Sequence, residues 1–226
     1  MNKQKELLDL NWNKHFEKVK HNIPKDQVLK NNSKLGLSLL TKIPQEMHQL
    51  IAPKIQELKT KYPNQFFYPV DRIHLTVTGL IAVQENMTIS DVLLEKLSAV
   101  LEDTLQKHSA FEVELDGLNI TSSSVFIQGY YTNYTLDRIR KEIISNIQAE
   151  NLELNLSHLL SFDLGYAWLT VMRFTDDDIP RLLEDIKEMR TFEFGKFTVN
   201  EIQLVITDKY FSQKKTKVVN SFCLQD

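Results

Sequence analysis

The strongest constraint on this chain is an internal echo. Arg72-Ile-His-Leu-Thr-Val-Thr78 and Tyr166-Ala-Trp-Leu-Thr-Val-Met172 share a central Leu-Thr-Val, with Thr76 and Thr170 separated by 94 residues (170 − 76). The surroundings repeat as well. A helix is predicted from Pro44 to just before Pro63, a strand over Arg72–Leu80, and a helix from Ser90 to Lys107. Strands over Phe111–Ile120 and Val125–Tyr131 follow, joined by the polar turn Thr121-Ser-Ser-Ser124. The order then begins again: a helix over 136–150, a strand over Tyr166–Phe174, a helix over Ile179–Met189, and strands over Phe197–Phe211 and Lys217–Leu224. The economical reading is α+β: two similar lobes, each an antiparallel sheet flanked by helices.

Ahead of the repeat lies a different kind of segment. Leu7, Leu8, Trp12, Phe16 and Val19 recur at spacings of three and four, which predicts a helix over residues 4–20. Residues 21–32 are polar, contain Pro24 and read as a loop. Leu35–Leu40 is a short strand. Residues 1–33 are therefore expected to form a helical extension, and 34–226 one bilobal domain.

Charge removes some function classes. With 27 Lys plus Arg against 30 Asp plus Glu, the net charge is −3. That is too little to hold nucleic acid by bulk charge, although a local basic groove is allowed. The single cysteine, Cys223, excludes an internal disulfide and a cysteine-based zinc site, and is expected to be buried in a strand. The N-terminus lacks a signal-peptide apolar run, and no apolar stretch is long enough to cross a bilayer. A cytoplasmic protein without membrane contact is expected. Asp176-Asp-Asp178 reads as acid at the start of the following helix, not as a metal site. His15, His21, His48 and His108 form no ligand spacing and read as solvated; His158 reads as structural.

Strand parity selects the candidate site. In the first motif Arg72, His74, Thr76 and Thr78 share one face, while Ile73, Leu75 and Val77 share the other. A face of Arg, His and Thr does not want a dry core, so it must line a cleft or meet solvent. In the second motif Trp168, Thr170 and Met172 take the matching face. A threonine hydroxyl can donate to a phosphoryl oxygen, and an imidazole can give or take a proton near neutrality. Arg72 has the parity to meet a phosphate; Arg173 has the wrong parity unless the strand bulges.

These residues resemble the 2H phosphoesterase superfamily, which includes 2′-5′ RNA ligase-like proteins and 2′,3′-cyclic phosphodiesterases. His74-Leu75-Thr76-Val77 with Gly79-Leu80 resembles the first His-x-Thr motif, and Trp168-Leu169-Thr170-Val171 with Arg173 stands in place of the second. The resemblance covers about residues 34–226. It implies a pseudo-twofold bilobal fold around a central cleft, and chemistry on a nucleotide or RNA phosphoester without a metal or other cofactor. By the same resemblance His74, Thr76 and Thr170 take catalytic positions, and Arg72, Trp168 and Tyr166 ligand-binding ones.

The departure is Trp168, because indole has an N–H donor but no nitrogen that titrates near neutrality. It can stack on a base or sugar face, or simply fill its half of the cleft. Tyr166, His158 and Tyr68 stand near enough in sequence to supply a missing proton. The expected function is recognition, and at most slow cleavage, of a nucleotide or RNA phosphoester. The alternative is an interaction protein that has lost the activity.

Overall fold

The structure is a computed structural model that describes residues 2–21, 33–152, 154, 165–176 and 179–225. The loop predicted over 21–32 lies almost wholly outside the described residues, as do His158, Asp177 and Asp178. The helices are α1 (Asn2–His21), α2 (Gln45–Lys61), α3 (Asp91–Leu105), α4 (Thr135–Ala149) and α5 (Ile179–Glu188). The strands are β1 (Leu35–Lys42), β2 (Phe66–Phe67), β3 (His74–Gln84), β4 (Phe111–Ile120), β5 (Ser124–Tyr131), β6 (Ala167–Arg173), β7 (Glu193–Val199), β8 (Glu201–Thr207) and β9 (Lys217–Cys223). Local chemistry sets the ends. The Ser90 hydroxyl caps α3 by accepting from the Leu93 N–H at 3.2 Å, and Pro44 precedes α2, where its missing N–H costs nothing. Among the described residues no helix is long and apolar enough to cross a membrane.

The strands form two antiparallel sheets, β3-β1-β8-β9 and β2-β6-β5-β4-β7, with helices packed on them. With the short β2 and the strand β7 set aside, the order β-α-β-α-β runs twice, β1-α2-β3-α3-β4 and β5-α4-β6-α5-β8, and each time its last strand joins the other sheet. β4 pairs with β5 of the second repeat, and β8 crosses back to pair with β1 of the first. The lobes are therefore not sequential halves, and neither sheet can form without chain from both repeats. The strand expected over Phe197–Phe211 is two strands in different sheets. Val199 pairs with Phe111, while Glu201, two residues on, pairs with Cys223. Cys223, expected buried, is exposed on the outer strand β9.

The repeat extends down to a bulge. In β3, Thr76 and Thr78 oppose the consecutive residues Leu40 and Leu39. In β6, Thr170 and Met172 oppose the consecutive residues Phe126 and Val125. Each strand thus carries one extra residue at the same place, which turns two neighbours inward together: Val77 and Thr78 in one, Val171 and Met172 in the other. β3 and β6 lie in contact where the two sheets meet. Buried Arg140 of α4 ties them together, donating to the carbonyls of Val77 (2.7 Å) and Thr76 (3.4 Å) on one strand and Tyr166 (3.1 Å) beside the other. Hydrogen bonds to a charged group contribute about 1.5–3 kcal/mol each, so this joint is firm.

α1 is docked, not trailing. Leu8 joins Phe126, Tyr130 and Tyr166 in a small apolar cluster against which Leu7 and Trp168 pack. This cluster is separate from the main core that covers the other face of the second sheet. The Gln4 side-chain amide satisfies both the Tyr131 carbonyl (3.0 Å) and the Tyr131 N–H (3.1 Å). The Asn11 amide reaches the Ile120 carbonyl (2.7 Å), and the Asn119 amide donates back to the Leu8 carbonyl (2.9 Å).

Candidate functional site

His74 opens β3 with its residue half-buried. Its Nδ1 lies 2.9 Å from the Arg72 carbonyl, an atom that only accepts, so Nδ1 carries the proton and Nε2 keeps its lone pair. The ring of Phe211 covers one face, with centroids 3.9 Å apart and planes at 30°. Burial, together with the positive charge of Arg173, lowers the His74 pKa from 6.5 to about 4, against the opposing effect of the Arg72 carbonyl. At neutral pH this imidazole is uncharged, with its Nε2 lone pair unprotonated.

Arg72 does not share a strand with His74, as parity had suggested. It ends a 3₁₀ turn over Val70–Arg72 that follows Pro69, and β3 begins two residues later. The turn still places it usefully. Its carbonyl orients His74, and its guanidinium donates to the Gln213 amide oxygen at 3.3 Å. Arg173 departs from expectation in the opposite sense. The bulge at Val171 reverses parity, so Arg173 emerges half-buried on the face of Thr170 after the buried Met172. Its Nε donates to the Tyr68 hydroxyl (2.7 Å), which donates to the Lys209 carbonyl (2.6 Å). Tyr68 thereby anchors the β8–β9 loop that carries Phe211.

The second motif has other surroundings. Trp168 is half-buried, with the Tyr166 ring edge-on at 6.4 Å and the Arg140 guanidinium 5.2 Å from its own ring centroid. Tyr166 is only 5% exposed, stacked on Phe126 in the cluster with Leu8, and burial pushes its hydroxyl up to about 12. A phenol so raised is a weaker acid than a free one, and it is held in the apolar cluster rather than beside His74. Thr76 and Thr170 are each half-buried, on the matching faces of β3 and β6.

A cavity of about 220 Å³ opens beside His74 on the first sheet. Leu40, Val205 and Val218 give it apolar walls; Lys42, Asp71, Arg72, Gln203, Gln213 and Thr216 contribute polar groups, and Phe211 and His74 also line it. Of the residues expected at the site, the cavity unites His74 and Arg72. Thr76, Thr170, Trp168 and Tyr166 are not among its lining. Sequence reasoning missed Phe211, Gln203, Gln213 and Lys42, and no local motif marks them. They reach His74 through the crossing of β8 and the loop after it. His108, read as solvated, is buried against the Glu142 carboxylate at 2.9 Å, outside this cavity. Among the described residues, no group of three or more His, Cys, Asp or Glu side chains is placed to hold a metal ion.

A family model described as the 2′-5′ RNA ligase superfamily matches residues 47–210. The chain is similar in structure to Escherichia coli LigT complexed with NADP+, at 16% identity and TM-score 0.57, over 86% of this chain and 99% of that one. It is similar to E. coli LigT complexed with 3′-AMP, at 15% identity and TM-score 0.54, over 86% and 99%. It also resembles TT0787 of Thermus thermophilus, at 15% identity and TM-score 0.63, over 84% and 98%. No curated protein matches the sequence.

Proposed function

We propose that this chain, which belongs to the 2′-5′ RNA ligase superfamily, binds a nucleotide or RNA phosphoester of the 2′,3′-cyclic or 2′-5′ kind where its two sheets meet, and hydrolyses it slowly. The observation that carries this reading is the state of His74: Nδ1–H fixed on the Arg72 carbonyl and Nε2 unprotonated at neutral pH. Similar folds crystallised with NADP+ and 3′-AMP support a phosphorylated nucleoside as the ligand class.

In this reading the Nε2 atom of His74 takes a proton from water as that water attacks phosphorus. The bond from phosphorus to the leaving sugar oxygen then breaks. Thr76 and Thr170 donate to the non-bridging oxygens, and Arg72 and Arg173 offset the charge. The departing oxygen must take its proton from bulk water, because Trp168 stands where an imidazole would supply one, and His74 returns its proton to solvent. Positioned proton transfer contributes about 10²–10⁴-fold, so its loss raises the barrier by about 3–5 kcal/mol. Tight binding with poor turnover is the expected outcome.

Calorimetric titration of the full chain with 2′,3′-cyclic nucleotides, paired with a turnover assay, tests the reading. Binding should be seen, and His74→Ala should leave no measurable hydrolysis. Absence of both binding and turnover would reject it in favour of an interaction protein. Fast turnover indifferent to His74→Ala would reject the assigned base.

A further inference from the structure

The first sheet carries, next to His74, a charge that the proposed chemistry does not use. Lys42 is the direct neighbour of His74 across the β1–β3 pair, so the two side chains stand on one face, with Cβ atoms about 4.5–5.5 Å apart. Lys42 is exposed, and it lines the cavity together with His74 and Arg72. Elsewhere lysines sit against carboxylates: Lys61 on Asp185 (3.1 Å), Lys107 on Asp103 (2.8 Å) and Lys196 on Glu112 (3.0 Å). Among the described residues Lys42 has no such partner, and Arg72 has only the Gln213 amide oxygen. Asp71 lines the same cavity but pairs with neither. Two cations left without a carboxylate, in a chain of net charge −3, mark a place for an anion from outside.

The order of the strands says which anion. The reacting phosphate would lie at the seam between Thr76 of β3 and Thr170 of β6. β1 is the neighbour of β3 on the side away from that seam, so Lys42 stands one strand, about 4.8 Å, farther out. From there the cavity continues over β8 and β9, at Val205 and Val218. The opposite direction is covered. Phe126 pairs with both Thr170 and Asn119, which puts all three on one face of the second sheet. α1 lies on that face, with Leu8 in one cluster with Phe126 and its carbonyl accepting from the Asn119 amide (2.9 Å). We propose that the ligand is an RNA end whose backbone runs from the seam across the first sheet, with the phosphate next to the reacting one held by Lys42. The inference rests on the proposed phosphoester site and adds a second phosphate to its substrate.

The test titrates the full chain with adenosine 3′-monophosphate and with adenosine 3′,5′-bisphosphate, which differ by that one phosphate. The bisphosphate should bind about fivefold more tightly, the upper end for one exposed charge pair. Lys42→Gln should bring the two ligands level, and Lys42→Glu should turn the preference around. A short RNA ending in a 3′-phosphate should lose affinity with salt more steeply than the monophosphate, and Lys42→Gln should flatten that dependence by about 0.7 in the slope of log K against log salt. Equal affinity of the native chain for the two nucleotides would overturn the second subsite while the phosphoester site stands, and that outcome needs no variant to fold. A preference that survives both substitutions would overturn the role of Lys42. Failure of both nucleotides to bind would overturn the subsite and the phosphoester site together.

Discussion

β3 and β6 are the same strand twice, to the residue at which each bulges, yet they serve opposite environments. β3 opens at His74 onto a cavity walled in part by the β8–β9 loop. β6 shows its matching face to aromatics roofed by α1. The half that keeps an imidazole is the half that keeps open space, and the half with an indole is the half that has been covered. An apolar roof and a titrating imidazole do not coexist cheaply, because burial disfavours the charged form. The helix and the tryptophan pack into one apolar cluster, and that cluster is what sets the second half apart.

The roof is where the comparison breaks most easily. Leu8 is fully buried in the small cluster over β6, and truncating such a side chain costs about 2–5 kcal/mol. Leu8→Ala should lower the denaturant midpoint without changing the slope. Little change would show that α1 contributes little to the stability of the second sheet, and the asymmetry would then reside in Trp168 alone.

The asymmetry itself can be reversed in part. Trp168→His restores an imidazole at the second motif, next to the Arg140 guanidinium that now lies over the indole. That positive charge must lower the new pKa below about 6.5. Turnover should rise by about tenfold, less than the full contribution of a general acid. The pH–rate profile should gain an alkaline fall below about pH 6.5 that the native chain lacks. A gain with no alkaline fall would place the missing proton elsewhere.

How much of this was visible beforehand follows from what is local. The repeated Leu-Thr-Val marked both strands because side-chain alternation is a local property. It failed at Arg173, because the bulge at Val171 is imposed by pairing with Val125 and Phe126, which strand periodicity cannot see. It failed at Arg72 because the chain turns after Pro69 before extending. The pairing of each crossing strand with the other repeat was invisible for the same reason, and it hid Gln203 and Phe211. α1 was legible as a helix from its apolar spacing. Its place over Trp168 was not, since an amphipathic stripe says that a face is buried but not against what.

The finest contrast between the motifs is the ring that covers His74. Phe211 has φ 55°, a left-handed conformation that a bulky residue rarely adopts. It is held there by Asp208, whose carboxylate accepts from the Tyr210 N–H (3.1 Å) and the Ser212 N–H (2.9 Å). Glycine tolerates that backbone without penalty, so Phe211→Gly removes the ring and relieves the strain together. With one face of the imidazole returned to water, the His74 pKa should climb from about 4 toward 6.5, by about one unit, as read by nuclear magnetic resonance titration of the ring. The sign for stability follows. A histidine whose folded pKa is depressed favours the native state above pH 6.5, and that support is lost as pH falls through about 4. A smaller depression means a smaller loss, so the variant should forfeit less stability between pH 6.5 and 4 than the native chain. An unchanged titration would mean that the surrounding strands and Arg173, rather than Phe211, keep the imidazole neutral.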